Sequence, residues 1–510
     1  MNRRNFLRAG SLLTIPMIFR GFSMSAISSL SPVKPPVFND KILVLIQMDG
    51  GNDTLNTVIP IEKYSILNTL RPNIIIPENK ILKLNDLVGI HPSMTGLKSL
   101  YDDGMLNVIR AAGYPNQNRS HFRSTDIWTS ATDANVVEAT GWLGRYFALD
   151  YPDYPDNYPN EDIDFPFAIT LGSTSSETCQ GQTANYSIAV SDPQNVDQLF
   201  EGEWDYMPGG CYGDELDYIR GVIRQSNVYS EIVSEAYSKG NNLSAKYDDS
   251  NKLSQSLKIV ARLISGGLST KVYVLRLGGF DTHSGQVDAS DTTIGKHADL
   301  LYTLSDAIYS FQDDLNLLGL QQRVVGMTFS EFGRQIRSNA SDGTDHGTAV
   351  DLFMFGACVN PGITGTNPDI TEDEEGGNGM EMQNNFRQIY ASILSDWFET
   401  DNDKVNNVLY GNFEKLDIIN PCDPNSSYTA NNNDGIDIYP NPVSDILNVS
   451  FENKNFNKIQ IYNDIGKKLK TINKIESENL RISFKEFNPG IYFINFLDSY
   501  KTITKKVIKI

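Results

Sequence analysis

Residues 42–53 read ILVLIQMDGGND: a nearly unbroken apolar run from Ile42 to Met48 stops at Asp49-Gly50-Gly51-Asn52-Asp53. A run that is apolar at odd and even positions fits a strand in a sheet covered on both faces. The switch to Asp and Gly puts a polar loop at its carboxyl end. The pattern recurs: Leu106–Ala111 ends near Arg119-Ser120-His121, Val272–Leu277 ends in Gly278-Gly279-Phe280-Asp281-Thr282-His283, and Arg323–Phe329 ends in Ser330-Glu331-Phe332-Gly333-Arg334. Between them, apolar residues at three- and four-residue spacing predict helices over Met94–Asp102, Phe122–Thr129, Leu216–Ala236, Leu253–Ser265 and His297–Leu317. Strands alternating with helices predict a three-layer α/β domain over residues 38–422, a mostly parallel sheet covered by helices. In such sheets ligands bind beyond the carboxyl ends of the strands, and four of those ends carry acidic, imidazole or hydroxyl groups.

The chain has five histidines. His121, His283 and His346 lie within a few residues of Asp, Ser or Glu in these loops. His297, in GKHADLLYTL, reads as a surface or packing residue, and His91, before Pro92, as structural. Four cysteines (Cys179, Cys211, Cys358, Cys422) form no CxxC pair and permit several disulfide connectivities. Asp150–Phe165, with repeated Tyr-Pro units, reads as a surface insertion beside a cleft, and Glu372–Glu375 as a solvated acidic loop.

The net charge of −20 is unevenly spread: residues 437–510 hold 12 basic and 8 acidic residues, the remainder 31 and 55. So acidic a body lacks the basic footprint that nucleic-acid binding requires, and excludes that partner.

The two ends read as addresses. Met1-Asn2-Arg3-Arg4-Asn5-Phe6-Leu7-Arg8, a short apolar stretch and the small residues SMSA predict a signal peptide over residues 1–30. RRNFL resembles the twin-arginine signal; an ordinary secretory signal is the alternative. No other segment reaches the length of a spanning helix, so no transmembrane segment is expected in the mature chain. Residues 423–436 (DPNSSYTANNNDGI) read as a linker. Short β-forming runs at close spacing then predict a small β-sandwich over 437–510. Its strings IYPNP, IYNDIGKKL, FNPGIYFI and terminal KKVIKI resemble the C-terminal sorting domain of type IX secretion cargo, which implies passage by twin-arginine or general export and then the type IX machinery to the cell surface or beyond.

The large domain carries MDGGND (Met48 to Asp53), NRSHF (Asn118 to Phe122) with Trp128, GWLGRY (Gly141 to Tyr146), GGFDTHS (Gly278 to Ser284), SEFGR (Ser330 to Arg334) and GTDHGTA (Gly343 to Ala349). Together these resemble the exported domain-of-unknown-function 1501 family, itself similar to a distant branch of the alkaline phosphatase and sulfatase superfamily. The resemblance implies a metal site of Asp49, Asp281, His283, Glu331 and His346, with Phe332 where a His is expected. It implies Ser120 as nucleophile, with His121 and Arg119 beside it as catalytic groups, and Arg123, Arg334 and Asn52 as contacts for an anionic ester or glycan. Carboxylate and imidazole together suit zinc or manganese, whereas magnesium or calcium prefer more oxygen.

Each residue has a plainer role as well. Asp49 fits a turn cap, Ser120 a helix N-cap, and Glu331 an i,i+3 partner of Arg334. The function that follows is a secreted metal-dependent hydrolase of phosphate or sulfate esters, or alternatively a non-catalytic surface or binding protein on a degenerate scaffold. A metal-free serine acyl hydrolase is disfavoured because no GxSxG elbow precedes a helix.

Overall fold

The computed structural model describes residues 40–194, 211–371 and 379–422, and toward the C-terminus 436–439, 443–451, 456, 458–463, 467–473, 479–488, 490–497 and 502–509. The signal peptide, the linker up to residue 435 and the acidic run Glu372–Glu375 lie outside the described residues. The chain divides into two compact units, Met1–Pro421 and Cys422–Ile510.

The first unit is built on a nine-stranded sheet. Its strands are β1 (Ile42–Asp49), β2 (Leu106–Gly113), β3 (Ala168–Leu171), β4 (Ser187–Val190), β5 (Val272–Gly278), β6 (Val324–Phe329), β7 (Val350–Phe355), β8 (Gly362–Thr364) and β9 (Asn384–Asn385). They lie in the order β8-β2-β7-β6-β1-β5-β3-β4, with β9 on β2. β1 is central and parallel to both neighbours, Gln47 standing opposite Arg276 on one side and Phe329 on the other. β7 runs antiparallel to β2 and β6.

This strand is absent from the sequence reading, and the reason is chemical. Val350–Phe355 carries Asp351, a charge out of keeping with a buried strand. Asp351 is fully buried and its carboxylate stands 2.9 Å from Arg110 of β2. The reversal of β7 matters for the site: its amino end lies at the same edge as the carboxyl ends of β1, β2, β5 and β6, so the loop holding His346 opens there too.

Helices cover both faces, as the uninterrupted apolar strands require. On one face the core joins Val44, Ile46 and Leu275 of the sheet to α1 (Thr95–Asp102), α4 (Cys211–Lys239), α5 (Lys252–Ser265) and α6 (Lys296–Leu317). On the other lie α2 (His121–Ser130), α3 (Trp142–Asp150) and α7 (Phe386–Ser392). There Trp128 stacks on Phe329 and Phe386, and Trp142 on Tyr390. The Tyr-Pro segment belongs to an aromatic cluster rather than a cleft wall: Tyr151 and Tyr154 are buried against Phe167 and Tyr186. Cys358 is in a disulfide, and Cys179 is a free, buried thiol.

The second unit holds a three-stranded and a four-stranded antiparallel sheet, Ile436–Tyr439, Ile446–Phe451 and Asn479–Ser483 against Lys458–Asn463, Lys468–Ile472, Gly490–Leu497 and Thr502–Lys509. Alternating residues such as Leu447, Val449, Ile459, Ile461, Ile494 and Phe496 form their shared core. No helix among the described residues is long and apolar enough to cross a membrane.

Candidate metal centre

Three segments at one edge of the sheet bring together Asp281 and His283 after β5, His346 before β7, and His121 at the start of α2. His283 Nε2 stands 2.9 Å from His346 Nε2, and the two lie 3.1 and 3.2 Å from Asp281 Oδ1. His121 Nε2 is 3.6 Å from the same oxygen. His121, Asp281 and His346 offer ligand atoms within 4.8 Å of one another.

The outer nitrogen of each ring fixes what the inner one presents. His121 Nδ1 is 2.7 Å from Glu331 Oε1, His283 Nδ1 is 2.8 Å from Asp345 Oδ1, and His346 Nδ1 is 2.9 Å from the Arg119 carbonyl. All three partners can accept from Nδ1, an arrangement that leaves Nε2 of a neutral ring free to turn a lone pair inward. Lone pairs and a carboxylate converging in this way are compatible with a cation between them, as they are with protons on the rings and the Arg334 guanidinium on Asp281. Ligands at zinc's bond lengths of about 2.0–2.2 Å in tetrahedral array would sit roughly 3.4 Å apart. The distances from Asp281 Oδ1 to the three Nε2 atoms are near that spacing, and the set mutually within 4.8 Å is His121, Asp281 and His346; the acceptor behind each ring is the usual support of a metal-bound histidine.

The scaffold around these groups is tight. Gly50 and Gly51 follow Asp49 at φ +122° and +73°, where side chains are strained; a Cβ would come within 2.3 Å of the Asp281 nitrogen at the first and of the Phe332 ring at the second. The Asp-Gly-Gly sequence is therefore needed to let the Asp281 and Phe332 loops close in. Phe332 is buried, its ring 4.9 Å from His121 and 4.7 Å from His346, a floor beneath both imidazoles. On α2, His121, Ser124 and Trp128 share a face at helical spacing, and the last two donate to the Glu331 carbonyl.

The other expected site residues take different places. Glu331 is buried behind His121, accepting from it and from the Gly50 amide, rather than facing the cluster. It does not pair with Arg334, and no helical turn follows it. Arg334 is fully buried, donating to the carbonyls of Gly50, Gly51, Phe280 and Thr344 and, at 2.6 Å, to Asp281. It is a clamp on the loops, its guanidinium fully buried. Partial burial raises the Asp281 carboxyl, but Arg334 outweighs it and holds the group below the ordinary carboxylate range. Arg123 donates to the carbonyls of Ala134 and Val136. Asn52 is buried and accepts from Thr57 and His297. Asp53 pairs with Arg71 at 3.0 Å, both buried.

Asp49 is half-buried at the end of β1. Desolvation raises its carboxyl above the ordinary value, Arg276 pulls it down, Glu331 adds to the rise and His121 lowers it. Ser120 is exposed at the N-cap of α2 and makes no side-chain capping bond. Arg119 contributes its carbonyl to His346. The sequence reading set His121 beside Ser120 as a catalytic group; the structure places it with the other imidazoles, and Asp345 behind His283.

The remaining histidines are buried and structural. Burial holds His91 down to about 3 and His297 to about 4, from 6.5. Both stay neutral in the fold while the unfolded chain protonates them, so their contribution is complete above pH 6.5 and drains away toward pH 4 and 3. By pH 5 each costs on the order of 2 kcal/mol. Urea denaturation at pH 7 and pH 5 should show this loss, reduced in His297→Gln; an equal loss in that variant would count against the assignment.

Residues 242–400 match the family described as protein of unknown function (DUF1501), a span that includes Asp281, His283, Glu331 and His346 but neither Asp49 nor His121. Residues 437–510 match the secretion system C-terminal sorting domain. The comparison with curated proteins gives no match. Among solved structures, a chain from work on metabolism of multiple glycosaminoglycans by Bacteroides thetaiotaomicron is 9% identical, with 91% of this chain and 89% of that one covered at a TM-score of 0.35. A protein in the alkaline phosphatase superfamily from Vibrio parahaemolyticus is also 9% identical, with 92% and 82% covered at 0.29. At such scores too little geometry is shared for residues to be carried across. Residues 242–400 thus resemble the DUF1501 family, and residues 437–510 match a secretion-system sorting domain, the mark of a secreted or cell-surface protein.

Proposed function

We propose that the chain is a secreted metal-dependent hydrolase of phosphate or sulfate esters, with residues 38–422 as its catalytic domain. The observation that supports this most is the set of three imidazoles, each backed by an acceptor at Nδ1, with Nε2 directed at the Asp281 carboxylate. His121, Asp281, His283 and His346 would hold the ion, and three nitrogens with one oxygen suit zinc or manganese. A bound divalent ion supplies Lewis acidity toward an ester oxygen and lowers the pKa of a hydroxyl or water. The chain's own groups orient the rest. Glu331, Asp345 and the Arg119 carbonyl keep the rings in one tautomer, Arg334 keeps Asp281 ionised, and exposed Ser120 stands at a helix N-terminus, where an oxyanion is favoured. Delivery would run through a twin-arginine-type or general signal at residues 1–30 and then the type IX route.

The second reading, a non-catalytic surface protein, draws support from Phe332 in the place of a ligand and from Arg334, already a cation on Asp281. Metal analysis of purified full-length protein separates the two, together with turnover of 4-nitrophenyl phosphate and sulfate. The hydrolase should retain one divalent ion per chain, and Ser120→Ala should cut turnover by about a hundredfold or more. Less than stoichiometric metal, or turnover indifferent to Ser120→Ala, sinks the catalytic reading.

A further inference from the structure

An anionic ester needs a cationic partner, and the two arginines expected to contact it are committed: Arg334 to loop carbonyls and Asp281, Arg123 to the carbonyls of Ala134 and Val136. We propose that Arg276, on β5, holds the non-bridging oxygens of the ester; the assignment rests on the hydrolase reading above.

The sheet places it. Arg276 stands in register with Gln47 of β1, and Gly278 with Asp49. In pleated strands alternate residues share a face, and in-register neighbours share it too, so Gln47, Asp49 and Arg276 are on one face. Phe329 of β6, the other in-register neighbour of Gln47, lies on that face and stacks on Trp128 of α2. α2 begins with His121. Arg276 therefore emerges on the side of the sheet, and at the end of the strands, where the imidazole cluster opens.

The guanidinium is available. Arg276 is exposed although its strand is central, because β3 pairs with β5 only as far as Thr170 opposite Val274. It has no hydrogen-bond or ion-pair partner among the described residues. Its charge reaches Asp49, where it is the largest influence lowering that carboxyl.

Gln47 supplies an independent sign of a ligand. Its side chain is 2% exposed, and its Oε1 is buried with no hydrogen-bond partner. A buried amide oxygen left without a donor is unfavourable. A guanidinium has five donors in a planar fork, enough to give one edge to Gln47 Oε1 and the other to two oxygens of a tetrahedral anion. Binding the anion would thus satisfy both groups at once.

Full-length protein loaded with zinc is titrated calorimetrically with inorganic phosphate and, separately, inorganic sulfate, for wild type, Arg276→Gln and Arg276→Lys. The phosphate and sulfate arms tell which ester is preferred. The expected result is at least a tenfold loss of affinity in Arg276→Gln, a smaller loss in Arg276→Lys, whose ammonium lacks the fork, and unchanged metal content. KM for the matching 4-nitrophenyl ester should rise by the same factor, with kcat changed less. Binding in Arg276→Gln within twofold of wild type overturns the assignment, as does wild type that binds neither anion. Arg276-dependent binding without stoichiometric metal would instead fault the hydrolase reading and leave Arg276 as an anion site.

Discussion

Asp281→Asn should strip the protein of its metal. The aspartate oxygen is the one atom to which all three Nε2 atoms are directed, at 3.1, 3.2 and 3.6 Å. Asparagine keeps the shape, and its carbonyl still accepts from Arg334, so the loops stay clamped. What changes is charge: three neutral imidazoles and an amide attract a divalent ion far less than a set containing a carboxylate. The loss should exceed the roughly 10–100-fold typical of removing a support behind a ligand, and Asp345→Asn provides that milder comparison. Equilibrium dialysis against zinc, with thermal melting as a control on the fold, reads both. If Asp281→Asn binds zinc within threefold of wild type, the convergence of these side chains is not a metal site.

Much of this site was legible before any coordinates, because strand ends announce themselves. A β-strand buried on both faces must be apolar throughout, so the first Asp, His or Glu after it marks the edge of the sheet. Asp49, Asp281, His283 and Glu331 were picked out as candidates in that way. The signal fails where a side chain's role depends on a partner distant in sequence. Glu331 looks like a ligand, but His121, 210 residues away, occupies it. Arg334 looks like a free cation beside a glycine, yet the carbonyls of four residues from three other loops consume its donors. Asp351 hid a strand because its neutralising partner is Arg110. Arg276 sits inside an apolar run and looked like a strand residue; only the early end of the β3 pairing leaves it open.

Arg334 also carries the second large effect, this one on stability. Its side chain has no solvent exposure and binds the carbonyls of Gly50, Gly51, Phe280 and Thr344 as well as Asp281. The ion pair alone contributes modestly, since Asp281 is 47% exposed and water screens it. The carbonyls decide the magnitude. Each buried acceptor left without a donor costs about 1–3 kcal/mol, and solvent entering the loops would recover part of that. Arg334→Met should therefore lose about 3–6 kcal/mol, a large share of the roughly 5–15 kcal/mol that holds a typical domain folded. Arg334→Lys should lose nearly as much, because one ammonium cannot reach acceptors spread around a planar fork. Guanidinium denaturation measures both, and adding Asp281→Asn to Arg334→Met apportions the ion pair: little change from the second substitution is expected if the carbonyls dominate. A loss below about 1 kcal/mol in Arg334→Met would mean that the loops hold their shape without the clamp. The cluster geometry would then need another cause, because the same guanidinium joins the Asp49 turn, the Asp281 loop and the loop leading to His346.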